Sequence, residues 1–125
     1  MQFKQPKDNE KYKWTNHVKD KMMYYGISES LVKRIIRFPK RKEEGIAPET
    51  VAVMSPYGRS REARQPYRGE IWVMYQDILK RSSDDQLLAQ QKRRVISAWR
   101  YPGVSPVGRK IPIPDDILQE LENVI

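Results

Sequence analysis

The chain has 125 residues, with 24 lysines and arginines against 16 aspartates and glutamates, one histidine, no cysteine and a formal net charge of +8. This length fits one domain, because two separate cores would each be too small to offset the entropy of the chain. The lack of cysteine excludes disulfides and thiolate metal sites, and a single histidine makes a zinc site unexpected.

The first part of the chain shows helical patterns. Residues 1–13 are polar and lysine-rich and predict a flexible lead-in, with order beginning near Trp14. Thr15 is suited to cap a short amphipathic helix that ends at Gly26. Ser28 is suited to cap a second helix with a continuous apolar stripe. Because the connection between them is so short, the two helices should form a tight hairpin or corner.

After the helices, the spacing of the apolar residues changes from helical to alternating. Residues 40–45 predict a charged edge strand, and residues 50–55, 70–76 and 92–101 predict three more strands. Residues 56–69 contain two prolines, two glycines and four arginines, so they predict a long exposed loop.

The last part of the chain is a proline-rich arm followed by a short acidic amphipathic helix. The segment 77–91, before the last strand, is polar at its centre and helical in character at its end. We therefore divide the chain into a lead-in (1–13), a domain (14–101) and the arm with its helix (102–125). The predicted fold class is α+β, with two N-terminal helices packed on a three- to four-stranded antiparallel sheet and a short C-terminal helix.

The charge is unevenly distributed along the chain. Residues 92–110 carry six basic residues and no acidic one, whereas residues 111–125 carry four acidic residues and no basic one. Residues 1–110 thus hold a net charge of +12, from 24 basic and 12 acidic residues. A segment with this positive charge attracts polyanions such as nucleic acids, because its cations neutralise phosphates and the counterions condensed on those phosphates are released. The acidic helix either packs on its own sheet or covers the basic surface as an in-chain inhibitor or a dimer contact.

Two stretches of the sequence carry a family resemblance. The first begins at Trp14 and reads WTNHVKDKMMYYGIS followed by LVKRIIRFP; the second is RRVISAWR, residues 93–100. Both are similar to segments of the BrnT family of toxins and related small domains. Together the two matches cover roughly residues 14–45 and 70–101. The resemblance implies a RelE-like fold of the barnase/EndoU/colicin/RelE type, whose members are commonly metal-independent ribonucleases held by an antitoxin.

This sequence also departs from that family. Trp99 stands where the BrnT-like strand has an arginine. The loop 56–69, the segment 77–91 and the arm with its helix are larger than a minimal toxin of this kind carries. A Gly-rich phosphate loop, a dinucleotide fingerprint and a Ser-His-Asp pattern are not visible in the sequence.

Metal-independent RNA cleavage needs a base, an acid and cations beside the phosphate. His17 is the one side chain whose unperturbed pKa suits proton transfer near neutrality, and Lys21 lies one turn later on the same helix face. Arg94 and Arg100 are six apart on a predicted strand and should share a face, with Arg100 favoured because it lies at the strand end. We name His17, Arg94 and Arg100 as catalytic candidates. The structural alternatives are a surface histidine and a charged strand end that prevents edge pairing.

Three basic stretches are candidates for contact with RNA: the second helix, the loop 56–69 and the last strand with the arm that follows it. Two cations of the second helix share a face, and the loop 56–69 interleaves tyrosines with arginines, which suits single-stranded RNA. The alternatives are a solvated helix face and a loop that orders on a protein partner. The RNA-contact candidates are Lys21, Lys33, Arg37, Arg59, Arg64, Tyr67 and Arg93.

The leading functional hypothesis is an RNA-directed, toxin-like domain that cleaves RNA without a metal. The alternatives are a non-catalytic RNA-binding domain of the same fold and a basic protein-interaction module. The expected partners are RNA, free or ribosome-associated, an antitoxin or another acidic protein, and a second copy of the chain. We predict no metal, no cofactor and no membrane partner, since no apolar run could span a bilayer and no apolar signal core is visible; we expect a cytoplasmic protein.

Overall fold

One mixed five-stranded sheet organises the chain. The structure, a computed structural model, describes residues 3–62, 64–80 and 90–122. Its strands run in the order β1-β5-β4-β3-β2, with every neighbouring pair antiparallel except β1 and β5, which are parallel. The elements are β1 (Tyr12–Trp14), α1 (Asn16–Tyr25), α2 (Glu29–Arg37), β2 (Arg41–Glu44), β3 (Thr50–Tyr57), β4 (Gly69–Lys80), β5 (Gln90–Pro102) and α3 (Asp115–Leu121).

The predicted α+β class is confirmed, with two N-terminal helices packed on the sheet and a short C-terminal helix. The predicted three- to four-stranded antiparallel sheet needs correction, because the sheet has a fifth strand, β1, that pairs in parallel with β5. Among the described helices, none combines the length and apolar character needed to cross a membrane.

The strand β1 falls at the end of the predicted lead-in, residues 1–13. Its Tyr12 and Trp14 are buried. The backbone before it is held by two side chains: Asp8 accepts a hydrogen bond from the Trp14 amide, and Asn9 accepts one from the Tyr12 amide, each at 2.8 Å. The ordered part of the chain therefore begins before Trp14. This short strand forms because it pairs with β5, which is distant in the sequence, and the residues of the strand themselves gave no signal of it.

The helices begin and end where their caps predict. The Thr15 hydroxyl accepts from the Val18 amide at 3.1 Å, the Ser28 hydroxyl accepts from the Leu31 amide at 3.2 Å, and Gly26 ends α1 with φ of 66°. The Thr15 hydroxyl also donates to a backbone carbonyl of β5 at 2.8 Å. α1 consequently lies along β5 beyond the end of β1.

The sheet has a packed layer on each face. Helices α1 and α2 contribute to one layer, and α3 contributes to the other with two buried residues, Ile117 and Leu121. In the second layer Trp72 and Trp99 stack with their ring centroids 6.3 Å apart. The acidic helix therefore packs on its own sheet, and it also covers one basic side chain of α1, Lys21; the inhibitory role and the dimer contact stay predictions.

The strands β4 and β5 are both longer than predicted. β4 runs to Lys80 and β5 starts at Gln90, so both ends of the segment 77–91 belong to the sheet. The remainder of that segment, residues 81–89, lies outside the described residues, and with it most of the predicted helical end.

A buried carboxylate connects β4 to the loop before it and to the C-terminal arm. Glu70 is fully buried, and its Oε1 accepts from Trp72 Nε1 at 3.0 Å and from the Ser105 hydroxyl at 2.6 Å. Its Oε2 accepts from the Tyr67 hydroxyl at 2.5 Å and from the Ser105 amide at 3.1 Å. Burial acts to raise the pKa of Glu70, but the hydrogen bonds from Ser105, Tyr67 and Trp72 outweigh it, so the pKa is lowered.

The arm is fixed by further contacts. Arg41 donates to the Ser105 hydroxyl at 2.8 Å, and its guanidinium lies over the Trp72 ring, 5.2 Å from the centroid. Trp99 Nε1 donates to the Pro112 carbonyl at 2.8 Å. These contacts make the arm part of the packed body and set the position from which α3 starts.

Replacing Glu70 with glutamine should lower the free energy of unfolding by about 2 kcal/mol. The neutral amide weakens the four hydrogen bonds, and its NH₂ group, which donates, replaces a carboxylate oxygen that accepted hydrogen bonds from donors of the protein. Urea unfolding at pH 7 measures this loss. The matched control is Glu10→Gln on the exposed N-terminal segment. Equal stability of the two variants would show that the carboxylate does not hold the arm.

The same carboxylate should make stability fall at low pH. Since the pKa of Glu70 is lower in the folded chain than in the unfolded chain, its contribution is present above the unfolded value of about 4.5 and is lost as the pH falls through the folded value. Wild-type chain should thus lose more stability than Glu70→Gln between pH 5 and pH 3. An identical loss in both chains would contradict this.

Candidate functional site

The structure brings a histidine, a serine and a glutamate together. His17 Nε2 lies 2.8 Å from the Ser97 hydroxyl, and His17 Nδ1 lies 3.0 Å from Glu120 Oε2. Because an ionised carboxylate only accepts, the Nδ1 proton points to Glu120, and Nε2 accepts from the Ser97 hydroxyl. This is the hydrogen-bond order of a serine–histidine–acid set.

Lys21 adds a positive charge beside this set. Its ammonium donates to Asp116 at 2.9 Å and pairs with Glu120 at 3.1 Å. Burial acts to lower the pKa of Lys21, but the hydrogen bonds to Asp116 and Glu120 outweigh it and the pKa is raised. We call His17, Lys21, Ser97, Asp116 and Glu120 the histidine cluster.

The imidazole of His17 is neutral near pH 7. Burial is the largest influence and lowers its pKa, the charge of Lys21 lowers it further, and the attraction of Glu120 opposes both. A neutral imidazole that contacts a hydroxyl can take a proton from it. A dissolved molecule cannot reach this imidazole in the described conformation, since His17 is only 8% exposed, Ser97 is fully buried and α3 lies over them.

Arg94 and Arg100 do not share a face of the sheet. Arg100 pairs with Ile71 and Arg94 with Gln76, which are five residues apart on β4 and so point to opposite sides. The prediction from their spacing is wrong because the register shifts by one residue at Ile96, forming a β-bulge.

Arg100 has a structural role at the end of α1. Its Nε donates to the Tyr25 carbonyl at 2.8 Å, and its Nη2 lies 3.4 Å from the Gly26 carbonyl. Its guanidinium also lies over the Tyr57 ring, 4.9 Å from the centroid. A cation at these carbonyls complements the negative end of the helix dipole. His17 is in the first turn of the same helix, so the structure does not bring His17 and Arg100 together.

Like Lys21, three more of the RNA-contact candidates have partners within the chain. Lys33 pairs with Glu29 at 3.3 Å, and its ammonium lies over the Tyr12 ring. Arg93 pairs with Asp77 at 3.3 Å. The third candidate, Tyr67, donates to the buried carboxylate of β4, and its pKa rises to about 12 through burial and this hydrogen bond.

The remaining RNA-contact candidates are exposed. Arg37 lies on α2, while Arg59 and Arg64 lie in the loop between β3 and β4, and within the described ranges none of them has an ion pair. We call residues 58–68 of this connection the arginine loop. Its described residues surround a polar pocket of about 330 Å³, lined by Arg59, Ser60, Arg61, Glu62, Gln65 and Arg68.

The base of the arginine loop is closed tightly. The Arg68 amide donates to the Tyr57 carbonyl at 3.2 Å, and Gln65 Nε2 donates to the Tyr67 carbonyl at 2.8 Å. Gly69 leaves room for the Tyr57 ring where the strands meet, since a Cβ at position 69 would lie 2.5 Å from that ring and would displace it. The strands β3 and β4 thus fix both ends of the arginine loop, and the arginines of this loop are exposed to solvent.

Comparisons with family models, with curated proteins and with solved structures find no match to this chain. The resemblance to BrnT and RelE therefore stays a prediction. In the part of the chain that the structure describes, no three histidine, aspartate or glutamate side chains are grouped as metal ligands.

The buried histidine should make stability depend on pH between 7 and 5. Since its folded pKa is below its ordinary value of 6.5, the unfolded chain binds more protons there, and stability falls as the pH decreases. His17→Gln removes this proton uptake and should show a smaller fall. Chemical unfolding of both chains at pH 7, 6 and 5 measures the difference. Parallel pH profiles would contradict the burial of a neutral imidazole.

Proposed function

We propose that this chain is an RNA-binding domain that contacts the phosphates of single-stranded RNA through the arginine loop. The observation that carries the proposal is the exposure of the four arginines of this loop, Arg59, Arg61, Arg64 and Arg68, none of which has an ion pair within the described residues. Unpaired guanidiniums on a fixed base provide the charge and the planar donors that phosphate oxygens accept.

The geometry favours contacts to the RNA backbone over contacts to bases. The Tyr57 ring is covered by Arg100, and the Tyr67 hydroxyl is held by Glu70, so the two tyrosines that flank the arginines are engaged by the protein. Phosphate contacts carry no sequence information. Binding should therefore be tolerant of RNA sequence and strongly weakened by salt.

Replacing Arg59 and Arg64 together with alanine should weaken binding to a fluorescein-labelled 12-nucleotide oligouridine at least fivefold. The slope of log K against log salt should also fall by about 1.4, since each phosphate contact on a single strand contributes about 0.7. Fluorescence anisotropy at several salt concentrations measures both quantities.

The matched control is the pair Arg34→Ala and Arg37→Ala, which removes two exposed arginines from α2 and changes the net charge equally. This control should retain most of the affinity and most of the slope. Equal losses in the two double variants would show that net charge, and not the arginine loop, accounts for binding.

A metal-independent ribonuclease is the second candidate function. It is favoured by the neutral His17 that contacts the Ser97 hydroxyl beside the Lys21 ammonium. In such a reaction the imidazole takes the proton of a ribose 2′-hydroxyl, and the 2′-oxygen attacks phosphorus. The bond to the 5′-oxygen breaks as that oxygen takes a proton from water, and the hydroxide left behind takes the proton from the imidazolium, which restores the neutral imidazole. The positive charge of Lys21 would stabilise the phosphorane.

This second function requires α3 to move away from the histidine cluster. The double substitution Asp116→Asn and Glu120→Gln weakens its ion pairs and should speed amide exchange in α3. Such a variant should cleave oligouridine in the presence of EDTA and leave 2′,3′-cyclic phosphate ends, and His17→Ala added to it should abolish cleavage.

The control Asp115→Asn with Glu122→Gln makes the same charge change on exposed side chains of the same helix region. It should exchange slowly and remain inactive. Faster exchange without cleavage, with RNA affinity retained, would reject the ribonuclease and leave the RNA-binding function in place.

A further inference from the structure

A groove of about 980 Å³ lies between the β2–β3 hairpin and the C-terminal part of the chain. One wall is formed by residues 42–46 and 50–51, and the other by residues 109–111, Ile113 and Leu118. We call it the edge groove. We propose that it binds an extended segment of a partner protein in which apolar residues alternate with acidic residues.

The edge groove has an apolar lining that is open to solvent. Ile46 and Leu118, which lie on opposite walls, are 42% and 44% exposed. Ile111 and Ile113 are half-buried between the groove and the second core layer. Single exposed apolar residues are common, but several that line one concave surface indicate a binding site.

The groove lies beside the edge of the sheet. Among the strands of the described residues, β2 is the last in the sheet order and pairs with β3 alone. The outer side of an edge strand presents backbone amides and carbonyls without strand partners, and an extended peptide can pair with them as an added strand. Alternate side chains of such a strand point to one face of the sheet, so its apolar residues would enter the groove together.

The charge around the groove favours an acidic occupant. Lys42, Arg109 and Lys110 are exposed on its rim, and none of them has an ion pair in the described ranges. Of the two acidic residues that line the groove, Glu43 is paired with Arg41 at 3.0 Å. Positive charge is therefore in excess, as it is over the whole chain.

Several of these features together favour a protein segment over RNA. An RNA backbone would use the cations alone, because it has neither apolar side chains for the isoleucines nor amides for the strand edge. The edge groove shares no residue with the arginine loop or with the histidine cluster, so this proposal and the RNA-binding function can fail separately.

The test uses the full chain and a capped ten-residue peptide of alternating valine and glutamate, followed by ¹⁵N NMR. Binding should shift the amide signals of Ile46 and Leu118 and slow amide exchange in β2. Ile46→Asp and Leu118→Asp should each weaken binding at least tenfold. Val107→Asp, a matched control on the arm outside the groove where the side chain is 81% exposed, should leave affinity unchanged.

Two further peptides separate charge from strand pairing. A peptide of alternating valine and lysine should not bind, and the valine–glutamate peptide with every second amide N-methylated should bind at least tenfold more weakly. The proposal would be overturned if the lysine peptide bound equally well, or if Ile46→Asp caused no loss of affinity. It would also be overturned if oligouridine displaced the peptide and shifted the same amide signals, and this result would identify the groove as an RNA site.

Discussion

The buried carboxylate of Glu70 holds together the parts of the molecule on which the proposed functions depend. A charged group without solvent is costly unless every lone pair is used, and here four hydrogen bonds satisfy it. The hydrogen bond from Tyr67 fixes the end of the arginine loop to this carboxylate, and the hydrogen bonds from Ser105 fix the start of the arm to it. The same interaction thus sets the position of the exposed arginines and of the segment that leads to α3 and forms one wall of the edge groove.

The second organising feature is the position of α1 along β5. Because of this position, one side of the helix packs in the layer that contains α2, and another side contacts α3. Val18 and Met22 enter the layer that contains α2, whereas His17 and Lys21 face α3 on the other side. The acidic helix neutralises Lys21 and covers the imidazole. The ammonium of Lys21 is thereby buried, whereas the arginines of the arginine loop are exposed and have no ion pair within the described residues.

Local signals were enough to predict the helices but not the site. Thr15, Ser28 and Gly26 act on the residues next to them, so their caps could be identified from the sequence. The contact between His17 and Ser97 joins residues 80 positions apart and depends on the path of α1. The bulge at Ile96 has no signal in its composition, yet it places Arg94 and Arg100 on opposite faces. Likewise, β1 is a strand only because β5 lies beside it.

RNA binding by the arginine loop is tested most directly by following the side-chain Nε–Hε signals of the arginines by NMR as oligouridine is added. Signals of Arg59, Arg61, Arg64 and Arg68 should shift first and saturate together, while those of Arg34 and Arg37 on α2 change little. Shifts that begin on α2, or equal small shifts at every exposed arginine, would contradict a binding site in the loop.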